Sequence, residues 1–150
     1  MDDARTPAAD DEPLSFPDDG GCFGCSPGNP AGLSLRFRRR GAVVVADCRV
    51  AEHFHGAPGI AHGGIVATLL DEISCAAAFF TRGQRVVTGE LSVRYRRPCP
   101  VAVPLRLSAQ VTAAQHPRYL VIAAEVRAGE EVLAQSTGKF FFATNAVTAP

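Results

Sequence analysis

His62-Gly63-Gly64-Ile65-Val66-Ala67-Thr68-Leu69-Leu70-Asp71-Glu72-Ile73-Ser74-Cys75-Ala76-Ala77-Ala78-Phe79-Phe80 is the stretch on which the reading of this chain turns. Ile65, Leu69, Ile73, Ala76 and Phe80 recur at spacings of three and four, the period of one helix face. Val66, Leu70, Ala77 and Phe79 make the other faces apolar as well, so the helix expected from 62 to about 80 is a buried one. Gly83, following Thr81 and Arg82, stands where a helix-terminating glycine belongs.

Outside the helix the period falls to two. Leu33, Leu35 and Phe37 alternate with Ser34, Arg36 and Arg38, a half-buried strand, and a second strand is expected over 42–50. Residues 51–61 carry Pro58 between Gly56 and Gly59 and read as a loop. Further strands are expected at 85–97, 104–115, 118–128 and 131–143, punctuated by Pro98 and Pro100, by His116-Pro117 and by Ala128-Gly129. Two strands, one greasy helix and an antiparallel meander describe an α+β domain: a sheet of five to six strands wrapped around one long buried helix. No βαβ alternation points to a parallel sheet.

At 150 residues and 47% hydrophobic content, one domain with a real core is expected. Residues 1–20 hold Asp2, Asp3, Asp10, Asp11, Glu12, Asp18 and Asp19 against Arg5 alone, and are expected to form a disordered acidic tail ahead of a domain at 21–150. Net charge is zero over the whole chain, but beyond residue 19 there are 14 basic and eight acidic residues, an excess suited to a polyanionic ligand. A nucleotide-bearing acyl carrier fits. Nucleic acid is not expected, because aromatic residues are not interleaved with the arginines as a stacking platform requires.

No positive segment followed by an apolar run lies near Met1, and no uninterrupted apolar run reaches 18 residues. A cytoplasmic location without a membrane partner is the expectation. Five cysteines, an odd count, argue against a disulfide framework. Cys22 and Cys25 form a CxxC, but a closed zinc site needs four ligands and no second pair follows. They read as a packing motif, with no metal or separate cofactor expected.

The chemistry concentrates at the helix start. Gly63 and Gly64 leave backbone N–H groups unshaded at the positive end of the helix dipole, where an oxyanion can be held. Asp71 and Glu72 then interrupt an apolar helix, and a carboxylate in such company is either paired, for instance with an arginine, or at work. Adjacent helical residues differ by about 100°, so at most one of the two faces the site.

His62-Gly63-Gly64, the acid nine positions after His62, and Thr88-Gly89-Glu90-Leu91-Ser92-Val93-Arg94-Tyr95-Arg96-Arg97-Pro98 together resemble the PaaI-like branch of the hot-dog thioesterase superfamily. Cys22-Phe23-Gly24-Cys25 and Asn29-Pro30-Ala31-Gly32-Leu33 are similar to openings in that branch. The resemblance implies an acyl-coenzyme A thioesterase, with coenzyme A entering as part of the substrate. In it the Gly63 N–H polarises the thioester carbonyl, His62 shapes the site, and Asp71 from the opposite subunit acts as general base or nucleophile. Thr88 orients water or the acid. The site then requires a homodimer, or a homotetramer built from two, with strands of two subunits joined in one sheet.

Simple alternation puts Thr88 on the polar face with Glu90, Ser92 and Arg94; a bulge at Gly89 would re-aim it. Gly64, Glu72 and His55 are further candidates for lining the substrate site. Arg96 and Arg97, at a strand end, are candidates for the coenzyme A phosphates. Two rival readings stand. His53, Phe54, Gly56 and Pro58 are similar to the opening of hydroxyacyl thioester dehydratases, in which a His and a helix carboxylate do acid and base work. The other is a non-catalytic acyl-CoA binding module on the same fold.

Overall fold

The computed structural model describes residues 11–16 and 20–143. Seven strands form one antiparallel sheet in the order β1-β2-β3-β5-β6-β7-β4, with one long helix against it. The strands are β1 (Glu12–Leu14), β2 (Phe37–Arg40), β3 (Val43–Cys48), β4 (Val86–Tyr95), β5 (Leu105–Ala113), β6 (Tyr119–Ala128) and β7 (Glu131–Phe142), with α1 (Gly63–Arg82) between β3 and β4.

The helix forms where the spacing predicts it. Val66, Leu69, Leu70, Ile73, Ala76 and Ala77 are buried against Leu105 and Leu107 of β5, Leu120 and Ile122 of β6, and Phe140 of β7. Each fully buried large aliphatic side chain contributes about 1.5–3 kcal/mol, so this seam is the main adhesive of the fold. Gly83 ends α1 in the left-handed conformation (φ 67°), its N–H donating to the Phe79 carbonyl at 2.6 Å. By length and hydropathy (20 residues, mean 1.5) α1 is apolar enough to cross a membrane. Instead its apolar faces are covered by the curved sheet, as in the core helix of a globular domain.

Three expectations are corrected. The sheet has seven strands, not five or six. The extra one, β1, lies in the stretch read as a disordered tail: Glu12–Leu14 pair with β2, Phe16 packs edge-on against Phe37 and Phe79, and Asp11 makes an ion pair with Arg40 at 2.7 Å. An acidic segment is thus neutralised by the arginines of its neighbouring strand, and the Arg40 hydrogen bond holds the Asp11 carboxyl below its ordinary range. The rest of the acidic segment, residues 1–10 and 17–19, lies outside the described residues. Finally, the strand read from residue 33 begins only at Phe37, because Ser34 adopts a positive φ of 50° and breaks the ladder.

Two sheet details position the site. Among the described residues β4 pairs with β7 alone, leaving its other edge without a strand partner along ten residues. The β4–β7 register shifts between Thr88 and Glu90, a bulge at Gly89. Before the shift Val86 and Thr88 turn inward; after it Leu91 and Val93 do. One extra residue changes the phase of the alternation, so Thr88 shares the helix-facing side with residues it could not otherwise join. Glycine leaves room there for the Phe141 ring, which would have to shift for a Cβ that would lie 2.4 Å from it.

Candidate active site

The loop ahead of α1 is held by backbone bonds: Gly56 N–H to Ile60 O at 2.8 Å, Ala61 N–H to Cys99 O at 2.7 Å, and His62 N–H to Phe54 O at 2.9 Å. These bonds aim the chain into the helix. His62 is the N-cap, its Nδ1 accepting from Gly64 N–H at 2.9 Å. The amides of Ile65 and Val66 donate to the His62 carbonyl. Gly63 N–H is left with no acceptor among the described residues, and no acidic side chain sits in the first turn to offset the dipole. Of the two glycine amides, one is consumed by the cap and the other is available.

Tyr95 closes the tip from the sheet side. Its hydroxyl donates to the Gly63 carbonyl at 2.7 Å, clamping the first turn to the end of β4. A cavity of about 250 Å³ opens beside it, lined by Ile60, Gly63, Val66, Tyr95, Arg96 and Arg97 among others. The two arginines are not equivalent. Arg97 pairs with Glu131 at 3.0 Å, and Arg96 donates to the Gln135 side chain at 2.6 Å without a carboxylate partner among the described residues.

A second cluster lies two turns along α1. The Thr88 hydroxyl donates to Asp71 Oδ1 at 2.6 Å, and the Cys75 thiol lies 3.7 Å from the same hydroxyl. Burial, with the Asp71 charge nearby, pushes the Cys75 thiol up to about 12, so it stays protonated. Glu72 turns the other way, toward Cys22 and Cys25, and its Oε2 is buried without a hydrogen-bond partner. Burial and the neighbouring Asp71 charge raise its carboxyl above the ordinary range.

Gly63 and Asp71 are eight residues apart on one straight helix, about 12 Å of rise. The structure therefore joins Asp71 to Thr88, and Gly63 to His62, Gly64, Arg96 and Arg97, but does not unite the two groups within one chain. His55 is exposed in the loop, and His53 packs against Phe54 with the rings tilted at 44° and their centroids 4.2 Å apart. Tyr95 and Cys75 are the residues sequence reasoning missed. Tyr95 falls on the helix-facing parity with Leu91 and Val93, and its position before Arg96-Arg97-Pro98 was the available signal.

A curved antiparallel sheet around one helix, with a capped glycine tip and an inward carboxylate, defines the hot-dog class. Residues 58–135 match the thioesterase superfamily, and the chain belongs to that family. It is 33% identical over 89 residues to the mouse (Mus musculus) acyl-coenzyme A thioesterase THEM5, covering 59% of this chain and 36% of that protein. It therefore spans about a third of the length of that relative. Among solved structures, the thioesterase superfamily protein RHA08564 superposes with a TM-score of 0.69 at 28% identity, covering 78% of this chain and 57% of the other. A phenylacetic acid degradation-related protein from Ralstonia eutropha JMP134, described as a putative thioesterase, shares the fold at 18% identity (TM-score 0.66; 73% and 85% covered).

Proposed function

We propose that this chain is an acyl-CoA thioesterase whose active site is completed across a homodimer. The observation that carries the reading is the Thr88–Asp71 bond at 2.6 Å, set by the bulge, on a helix whose start presents the Gly63 amide. In this reading Thr88 holds Asp71 Oδ1 and leaves Oδ2 to a water molecule. Asp71 takes a proton from that water as its oxygen attacks the thioester carbon. The carbonyl oxygen gains charge and receives the Gly63 N–H of the facing chain. Collapse of the tetrahedral adduct breaks the C–S bond, and the coenzyme A thiolate takes the proton back from Asp71. One preorganised donor at an oxyanion is worth about 10²–10³ in rate, and a placed general base about 10²–10⁴.

The open edge of β4 supports the dimer. A ten-residue strand with one edge unpaired among the described residues, and with an exposed Val87, is a template for pairing with a second copy. Antiparallel pairing there is a direct way to bring one helix tip to the middle of the other helix, which the roughly 12 Å separation demands. The basic excess and the cavity beside Arg96 favour a substrate carrying phosphates. Nothing in the surroundings of His53 favours the dehydratase chemistry.

The test is thiol release from a panel of short, long and aromatic acyl-CoAs. The parent protein is expected to release coenzyme A, and Asp71→Asn to lose about a thousandfold in kcat while its sedimentation as a dimer is unchanged. Undiminished turnover in Asp71→Asn, or binding of acyl-CoA without any thiol release by the parent, defeats the reading.

A further inference from the structure

The Cys22–Cys25 pair lies outside the proposed chemistry, and its surroundings are built. Cys22 Sγ, Cys25 Sγ and a Glu72 carboxylate oxygen all lie within 4.8 Å of one another. The chain turns tightly between the cysteines: Ser26 N–H donates to Cys22 O at 3.1 Å, and Cys25 N–H donates to Cys22 Sγ at 3.3 Å. Glu72 reaches this turn from mid-helix, at 3.9 Å from Cys22 Sγ. Its second oxygen is buried with no hydrogen-bond partner, and no Arg or Lys among the described residues pairs with it. Gly24 makes the approach feasible, because a Cβ there would stand 2.2 Å from Glu72 Cδ. Two soft sulfurs and one hard oxygen therefore converge, and one carboxylate oxygen lacks a positive partner.

We infer that Cys22, Cys25 and Glu72 form a binding site for a borderline-soft divalent cation of the zinc type, clamping the 20–35 loop to the middle of α1. Zinc accepts this S₂O donor set, with Zn–S near 2.3 Å and Zn–O near 2.0–2.2 Å. Tetrahedral coordination at those lengths sets two sulfurs about 3.8 Å apart and a sulfur about 3.5 Å from the oxygen. The observed separations of 3.0 Å and 3.9 Å need shifts of less than about 1 Å to reach them. The fourth position is left to water. Uptake releases the two thiol protons and leaves the cation bound to two thiolates and one carboxylate. Because Glu72 follows Asp71 directly, the clamp braces the helical turn that presents the proposed general base.

The experiment uses the full chain, reduced and freed of metal, titrated anaerobically with cobalt(II). Sulfur-to-cobalt charge transfer in the near ultraviolet with tetrahedral ligand-field bands is expected at one equivalent. Zinc should displace it, and should raise Tm by roughly 5 °C when well above its Kd. Cys22→Ser and Cys25→Ser should each remove the charge-transfer band. Glu72→Gln should weaken cobalt binding by at least about tenfold, given that even outer-shell losses cost about 10–100-fold. Cys48→Ser should leave the spectrum unchanged. The inference fails if the reduced protein shows no cobalt-thiolate absorption, or if the band survives in both Cys22→Ser and Cys25→Ser. It also fails if the pair closes to a disulfide with oxidised glutathione while the reduced form takes up no cobalt. None of these outcomes depends on turnover, so they are separable from failure of the thioesterase reading.

Discussion

The tip of α1 and its middle handle charge in opposite ways. At the tip the polar group on offer is backbone: the Gly63 amide, at an exposed residue, held in place by the Tyr95 hydroxyl and by the His62 cap one amide further on. In the middle the polar groups are side chains: Asp71 bonded to Thr88, and Glu72 facing the opposite way among sulfurs. The tip is a donor with no acid to neutralise it, and the middle is an acid with one oxygen tied down. The difference teaches that, in the proposed reading, neither half suffices by itself, and the helix rise of about 12 Å between them is what calls for a second chain.

The sharpest way to break that division is complementation. Asp71→Asn and Gly63→Val homodimers should each be inactive. A heterodimer of the two, isolated on separate tags, has one intact site of two and should regain roughly half of the parental kcat. No recovery would place both groups in a single chain. Next in size, Thr88→Val keeps the side-chain volume and removes the donor. Its kcat for thiol release should fall by about 10–100-fold with little change in dimer stability. A fall no larger than twofold would detach Thr88 from the acid.

His62→Ala probes the tip. Loss of the cap should cost about 1 kcal/mol in urea unfolding, the usual penalty for an N-cap removed. Tyr95→Phe is milder still: a single exposed hydrogen bond is lost, and kcat/KM should fall by about threefold with stability changed by less than about 1 kcal/mol. The smallest effect lies away from α1. Burial raises the Asp47 carboxyl, but hydrogen bonds from Arg106 at 2.9 Å and from Arg38 outweigh it and hold the group below its ordinary 3.8. A depressed folded value means stability that is present above pH 3.8 and lost as pH falls below it. Asp47→Asn should therefore lower stability at pH 7 by less than about 1 kcal/mol, the pair being partly exposed, and the difference from the parent should vanish below the aspartate range.

Much of this architecture was legible in the residues. Periods of 3.6 and two are written by burial itself, so α1 and the strands β3 to β7 appear close to where apolar spacing puts them. The glycine pair at the helix start and the Asp71-Glu72 pair within it stand out for the same reason, as anomalies against an apolar background, while the choice of Asp71 over Glu72 rests on the family resemblance. The orientation of Glu72 was not legible, because the loop it meets lies far away in the chain and only folding reveals the contact. Thr88 was readable solely through the condition of a bulge, which depends on a Phe141 ring occupying the space beside Gly89. β1 escaped because composition marks Glu12-Pro13-Leu14 as solvent-loving, while the arginines that neutralise Asp11 belong to another strand.

The bulge makes position in β4 a matter of counting. Were Gly89 to take a regular place in the ladder, one residue to one partner, Val86–Thr88 would turn by half a turn about the strand. Val87 would then point at the helix and the threonine at solvent, though no residue had changed. Two stretches of one strand thus keep separate clocks, and a single backbone step without a side chain is the gear between them.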